Sequence, residues 1–228
     1  MELLNKVLKK YLFEILIKGH DTVKDDNDNI KEHLCNHYLI RAPAKDSREL
    51  LSDIKDGVYD LEYYPLKSEA LFDYVNSLNN PSLDGFVYTY PNRIFEQKST
   101  PSSNEFINQF QIILNRLNNN SGSNRAVATI YNPFHDCYEK DIPCLQWIQC
   151  TIRDNQLILH CIFRSNDVFG AFYSNMLFLS YLGLRLTEEY NSYDLNDDVE
   201  FQGIDYHCTS GHIYEYNVDE AVKLYKSL

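Results

Sequence analysis

The sequence holds no apolar run approaching the roughly 20 residues that a membrane-spanning helix needs. Its opening, "MELLNKVLKKYLFEILIKGHD", is interrupted by Glu2, Lys9, Lys10 and Glu14, so it reads as an amphipathic helix and not a signal peptide. Basic residues are in short supply: 21 Lys and Arg stand against 33 Asp and Glu, a formal charge of -12. A surface of that sign repels phosphate backbones, which excludes DNA or RNA polymer as a partner, whereas a single nucleotide needs only a few local arginines. The six cysteines include no CxxC pair and no zinc-like spacing with the seven histidines. Cys137 lies near His135 and Asp136 in "HDCYEKD", but lacks the further ligands that a metal would need. Internal repeats and linker-like segments are missing too. The expectation is one soluble, cytoplasmic α/β or α+β domain over residues 1–228, with reduced thiols and no metal.

What is present divides the chain in two. Leu3, Leu4, Val7, Leu8, Tyr11, Leu12, Ile15 and Leu16 recur at helical spacing, with Gly19 as the stop. "HDTVKDDNDN" reads as a charged loop. Asp46 caps a short helix over 46–54, and a second helix is expected from Ser102, with Glu105 completing a capping box. The second half is richer in strands. "AVATIY" (126–131), "LQWIQCTIR", "QLILHCIFR" and "VEFQGIDYHC" have strand character, "SNMLFLSYLGLRL" reads as a central helix, and Asn217 opens a last helix.

Asp154-Asn155 between two of those strands predicts a β-hairpin. A turn centred there makes facing residue numbers sum to about 309, which sets Cys144 opposite Ser165 and beside Arg164, give or take a slip of one or two residues. A guanidinium near a thiol favours the thiolate, the nucleophilic form. Cys144 therefore stands apart from Cys150 and Cys161, whose apolar strand neighbours mark them as packing residues.

The ordered motifs "GFVYTYPNR", "NQFQIILNRLNNNSGSNRAVATIYN", "PCLQWIQ", "FRSNDVFGAFYSN" and "GHIYEYN" resemble the thymidylate synthase superfamily over about residues 85–227. That superfamily includes the phage pyrimidine-nucleotide hydroxymethylases, and "RSNDVFGAFYSN" looks closest to the deoxycytidylate hydroxymethylase branch. The resemblance implies an α+β fold with a large mixed β-sheet flanked by helices, two such sheets packing back to back in a homodimer. It implies a pyrimidine nucleoside monophosphate as substrate and 5,10-methylenetetrahydrofolate as one-carbon donor. Cys144 would add to carbon 6 of the ring, and Tyr88 would stand near it. Arg164 and Ser165 would bind the phosphate, and Arg125 would reach the phosphate of the partner subunit. Asn175 would read the base edge, His212 and Tyr214 would hold the sugar hydroxyl, and Asp167 would face the folate. "RELL" (48–51) makes Glu49 the candidate organiser of water and proton transfer.

Each assignment has a plainer alternative. Glu49 serves equally as the N3 carboxylate of the box begun by Asp46, Asp167 as a cap of the following helix, and Tyr88 as core. His212 fits a sheet edge, and Arg125 a solvated turn. The chain also departs from the synthase pattern. Leu145 replaces the histidine after the cysteine, Asn124 replaces one of two arginines, and Ser52 replaces a tryptophan. The N-terminal phosphate loop offers only Lys24, and no closing segment follows Leu228. Looser exclusion of water favours hydroxymethylation of dUMP, UMP, dCMP or CMP. The alternatives are a thymidylate synthase with altered folate handling and a non-catalytic nucleotide-binding homologue.

Overall fold

The computed structural model describes residues 2–24, 28–83, 85–100, 102, 104–193 and 198–228. Helix α1 (Glu2–Lys18) ends at Gly19 and leads through β1 (His20–Val23) into the long strand β2 (Asn29–Arg41). Helices α2 (Ser47–Lys55), α3 (Ser68–Asn76) and α4 (Tyr90–Phe95) follow, then the two-residue strands β3 (Gln97–Lys98) and β4 (Phe106–Ile107). After α5 (Gln109–Asn119), β5 (Val127–Thr129) and α6 (Pro133–Asp136) come the hairpin β6 (Leu145–Arg153) and β7 (Gln156–Asp167). Helix α7 (Phe172–Asn191), β8 (Glu200–Tyr214) and α8 (Val218–Ser227) complete the order. No helix among the described residues is long and apolar enough to cross a membrane.

Six strands form one mixed sheet in the order β1-β2-β8-β7-β6-β5, with β7 and β8 parallel and every other pair antiparallel. The parallel pair requires a crossover, and α7 supplies it. Leu159, Cys161 and Phe163 of β7 and Ile204, Tyr206 and Cys208 of β8 point to the helical side and are buried. Gly183 lets α7 approach closely, because a Cβ there would lie 2.2 Å from the Phe201 ring. The alternate residues form the other face, where Ile158, His160 and Asp205 are half-buried and Leu39, Ile162 and His207 exposed.

The hairpin turn forms where the sequence predicts it. Asp154 and Asn155 both have positive φ, 51° and 56°, as a two-residue type I′ turn requires. The pairs from Arg153↔Gln156 to Trp147↔Ile162 keep the expected sum, and then the register shifts between Leu145 and Trp147. Gln146 is the extra residue of this bulge, so Leu145 pairs with Phe163 and Cys144 comes opposite Arg164 instead of Ser165.

Two segments differ from expectation. Part of the "HDTVKDDNDN" loop is strand, because His20–Val23 pair with Asn29–Glu32; residues 25–27 lie outside the described residues. The helix expected from Ser102 begins instead at Gln109, where the Asn108 side chain accepts the Gln111 N–H, and residues 106–107 pair with 97–98. Residues 101 and 103 lie outside the described residues.

The sequence's weak metal candidate also has another use. Asp136 is buried, with Oδ1 2.5 Å from Arg93 Nη2 and Oδ2 accepting the Asn132 N–H at 2.7 Å. Removing one member of a buried ion pair strands the other charge. Asp136→Ala is therefore expected to cost about 3–5 kcal/mol in urea unfolding, far more than substitution at an exposed acid.

Candidate active site

Cys144 sits just before β6, where the bulge turns the strand end toward a cavity of about 810 Å³. Its Sγ lies 3.7 Å from Ser165 Oγ, and its carbonyl accepts the Arg164 backbone N–H at 2.9 Å. The Arg164 guanidinium ties this corner together. Nε donates to Pro143 O at 3.0 Å, Nη2 to Ile142 O at 2.8 Å and Nη1 to Ser165 Oγ at 3.2 Å. A guanidinium has five N–H donors, so two remain for an anion beside the thiol.

Asn175, in the first turn of α7, lines the same cavity. Its Oδ1 accepts the Tyr74 hydroxyl at 2.5 Å, and its Nδ2 donates to Asn166 Oδ1 at 3.2 Å. Asn166 in turn donates to the Tyr206 hydroxyl at 3.1 Å, so the amide is held from both sides. One lone pair and one N–H stay free, a donor-acceptor pair suited to the edge of a pyrimidine. Tyr88 and Tyr90 line it as well. Tyr90 accepts the Leu145 N–H at 3.3 Å, while burial, followed by the neighbouring Cys144, pushes the Tyr88 hydroxyl up to about 12.

A polar end lies on the adjoining strands. His212 of β8 stands beside Asp167 of β7 in the parallel register. Lys24 Nζ lies 3.2 Å from His212 Nε2 and donates to the Tyr214 hydroxyl at 3.1 Å. Lysine has donors only, so Nε2 is the acceptor of a neutral imidazole. Burial, reinforced by the Lys24 charge, lowers His212 to about 4. Asp167 accepts the Phe169 and Gly170 N–H groups through Oδ1, and burial raises its carboxyl against those bonds. Asp167 thus braces the turn ahead of α7 and lines the cavity, but it does not cap the helix, whose N-cap is Ala171 with no side-chain bond.

The His212 shift has a defined sign. The unfolded imidazole takes up a proton near 6.5 and the folded one only near 4, so stability is full above about pH 6.5 and falls toward pH 4. The contribution is about 3 kcal/mol. Between pH 7 and pH 4, His212→Gln should lose less stability in urea than the natural chain, by up to that amount.

Cys144, Tyr88, Arg164, Asn175, His212, Tyr214 and Asp167 line one cavity, with Ser165 against the thiol. Two residues stand outside it. Glu49 is exposed on α2, where its carboxylate accepts the Lys45 N–H at 2.7 Å while Asp46 accepts the N–H groups of Arg48 and Glu49. The local capping arrangement accounts for "RELL", and Glu49 does not line the site that the sequence assigns to it. Ser52 lies on the same helix, also away from the cavity. Arg125 is exposed ahead of β5 and does not enter the cavity of its own chain. Sequence reasoning missed Tyr74, Asn166 and Tyr90. Helix α3, which carries Tyr74, shows only a short apolar pattern, Leu71 and Val75.

The cavity is near the top of the range of about 300–1,000 Å³ usual for ligand pockets, so it has room for more than a nucleotide. Phe86 and Val87 add an exposed apolar mouth beside Tyr88, and Asp167 offers a half-buried acceptor. A flat heterocycle carrying N–H donors, such as the pterin of a folate, fits that combination.

Comparison with known proteins agrees with this geometry. The family model described as thymidylate synthase matches residues 63–226. A protein of Methanothermobacter thermautotrophicus named "Putative thymidylate synthase" is 27% identical over 222 residues, covering 96% of this chain and 93% of the relative. One of the same name from Methanocaldococcus jannaschii is 36% identical over 169 residues, covering 72% of each chain. The chain belongs to the thymidylate synthase family, one-carbon transferases that act on a pyrimidine nucleotide with 5,10-methylenetetrahydrofolate as donor.

Proposed function

We propose that the chain methylates carbon 5 of dUMP by way of a covalent bond from Cys144 to carbon 6. The observation that supports it is the meeting of the Cys144 thiol, Arg164, Ser165, Tyr88 and Asn175 around one cavity. The two free N–H groups of Arg164 and the Ser165 hydroxyl take the phosphate, with Lys24 adding positive charge at the polar end. The neutral, braced amide of Asn175 pairs with the N3–H and O4 of uracil. His212 and Tyr214 receive the sugar hydroxyl.

The Cys144 thiolate adds to carbon 6, and the displaced electron pair makes carbon 5 a nucleophile. When bound, 5,10-methylenetetrahydrofolate supplies the methylene carbon and the hydride that reduces it to methyl; Phe86 and Val87 would hold it on the apolar side and Asp167 on the polar side. Tyr88, kept protonated by its raised pKa, orders the water that removes the carbon 5 proton. Departure of Cys144 from carbon 6 restores the ring double bond.

The names of the relatives favour thymidylate as product, and hence dUMP as substrate. Hydroxymethylation is the second reading. The run "RSNDVFG" and the exposed mouth, with Phe86 68% and Val87 54% accessible, favour water as the group that meets the methylene. The Ser52 departure lends it no weight, since α2 is away from the cavity. A homodimer is part of this reading: the uncovered sheet face, with Leu39 and Ile162 exposed, would pack on a second copy, and Arg125 of the partner would complete the phosphate site.

Incubation with methylenetetrahydrofolate and dUMP, dCMP, UMP or CMP in turn, followed by mass spectrometry, tests the assignment. Thymidylate together with dihydrofolate supports methylation. A hydroxymethyl nucleotide selects the second reading, and no product from any of the four sinks both.

A further inference from the structure

We propose that His37, Asp205 and His207 form a binding site for a divalent transition-metal cation of the zinc class, on the sheet face opposite α7. The sheet register builds it. His37 of β2 and His207 of β8 are directly paired, and Asp205 lies two residues before His207 on the same face. Two residues apart on one strand and one directly across on its neighbour make a tripod whose side chains rise together.

The donor atoms converge. His37 Nε2 lies 2.7 Å and His207 Nε2 3.3 Å from Asp205 Oδ1, and the three ligand atoms are all within 4.8 Å of one another. A cation about 2.0–2.1 Å from each atom needs ligand spacings of roughly 3.3 Å in a tetrahedron, so small rotations suffice. The imidazoles are now stacked, with centroids 4.2 Å apart and planes 12° from parallel, and both address one carboxylate oxygen. In the single chain their side chains are 55% and 47% exposed, so rotation about the Cβ–Cγ bond aims both lone pairs at one ion before a second copy covers this face.

A second tier supports the carboxylate. His160 Nδ1 lies 2.8 Å from Asp205 Oδ2, and its Nε2 lies 2.9 Å from Thr151 Oγ1. With the Nδ1–H donating to Oδ2, the Thr151 hydroxyl satisfies the other nitrogen and Oδ1 is left for the cation. Orientation of a ligand carboxylate by an outer hydrogen bond is the usual support of a metal site. Two imidazoles and one carboxylate suit zinc, copper or nickel better than magnesium or calcium. The fourth position faces solvent in the single chain and the second copy in the proposed dimer.

Equilibrium dialysis of the full chain against zinc chloride at neutral pH, read by elemental mass spectrometry, tests the site. The expected result is about one zinc ion per chain, with affinity at least tenfold weaker in His37→Ala/His207→Ala and in Asp205→Asn. Cys35→Ser/Cys137→Ser, which removes the exposed thiols, should bind as the natural chain does. Circular dichroism and thermal unfolding of each variant separate loss of ligands from loss of fold. Failure of the natural chain to bind, or binding that survives the histidine and aspartate variants, overturns the proposal.

Discussion

Cys144→Ala is expected to lower release of tritium from carbon 5 of labelled dUMP by roughly 10,000-fold or more, while leaving nucleotide binding nearly intact. The two effects separate because the thiol and the phosphate site use different atoms. Without Sγ no covalent bond forms at carbon 6, and carbon 5 of an intact uracil is a poor nucleophile. The phosphate contacts would come from Arg164 and Ser165, which keep their places. Three Arg164 bonds, to Ile142 O, Pro143 O and Ser165 Oγ, do not involve the sulfur. Cys144 is half-buried, packing against the core from its edge, so loss of its one sulfur should leave thermal unfolding close to that of the natural chain. Kinetics and calorimetric titration with dUMP check the two halves.

Arg164→Lys should fail in a different way. An ammonium keeps the charge but not the fork, and it cannot serve two backbone carbonyls, a hydroxyl and a phosphate together. Two charge-assisted bonds to phosphate weaken or vanish, which raises KM for the nucleotide by about 100-fold. The segment carrying Ile142 and Pro143 also loses its tether, so kcat should fall by about tenfold through misplacement of the thiol. The diagnostic is the split. Cys144→Ala removes turnover at nearly constant affinity, whereas Arg164→Lys changes affinity most. Initial-rate kinetics over a wide nucleotide range reads both.

Local chemistry makes much of this site legible in the sequence. Asp154-Asn155 tolerates the left-handed backbone of a type I′ turn, and that turn fixes the hairpin register which brings Arg164 and Ser165 to Cys144. The ordered motifs then grouped Tyr88, Asn175, Asp167, His212 and Tyr214, all of which line one cavity. The bulge at Gln146 was not legible, because an inserted residue leaves the alternation on either side intact. It moved the partner of Cys144 by one position, yet Ser165 still reaches the sulfur.

The misses share a cause: short motifs have local uses that need no site. "RELL" closes a helix cap, so Glu49 ends exposed on α2. "SSNE" reads as a helix start, yet Asn108 caps the helix and Phe106–Ile107 form a strand with Gln97–Lys98. Conversely, Tyr74 comes to Asn175 from 101 positions away, and Lys24 reaches His212 across 188. Neither contact leaves a trace in local periodicity, since the sheet order and the packing of α3 on α7 create them.

The central claim is that this cavity activates carbon 5 of a pyrimidine nucleotide through Cys144. Tritium release from carbon-5-labelled nucleotide by the natural chain with methylenetetrahydrofolate tests it most directly, because release precedes the step that separates methyl from hydroxymethyl products. The account predicts release from dUMP that disappears in Cys144→Ala. No release from dUMP, dCMP, UMP or CMP, or release that persists without the thiol, would contradict it.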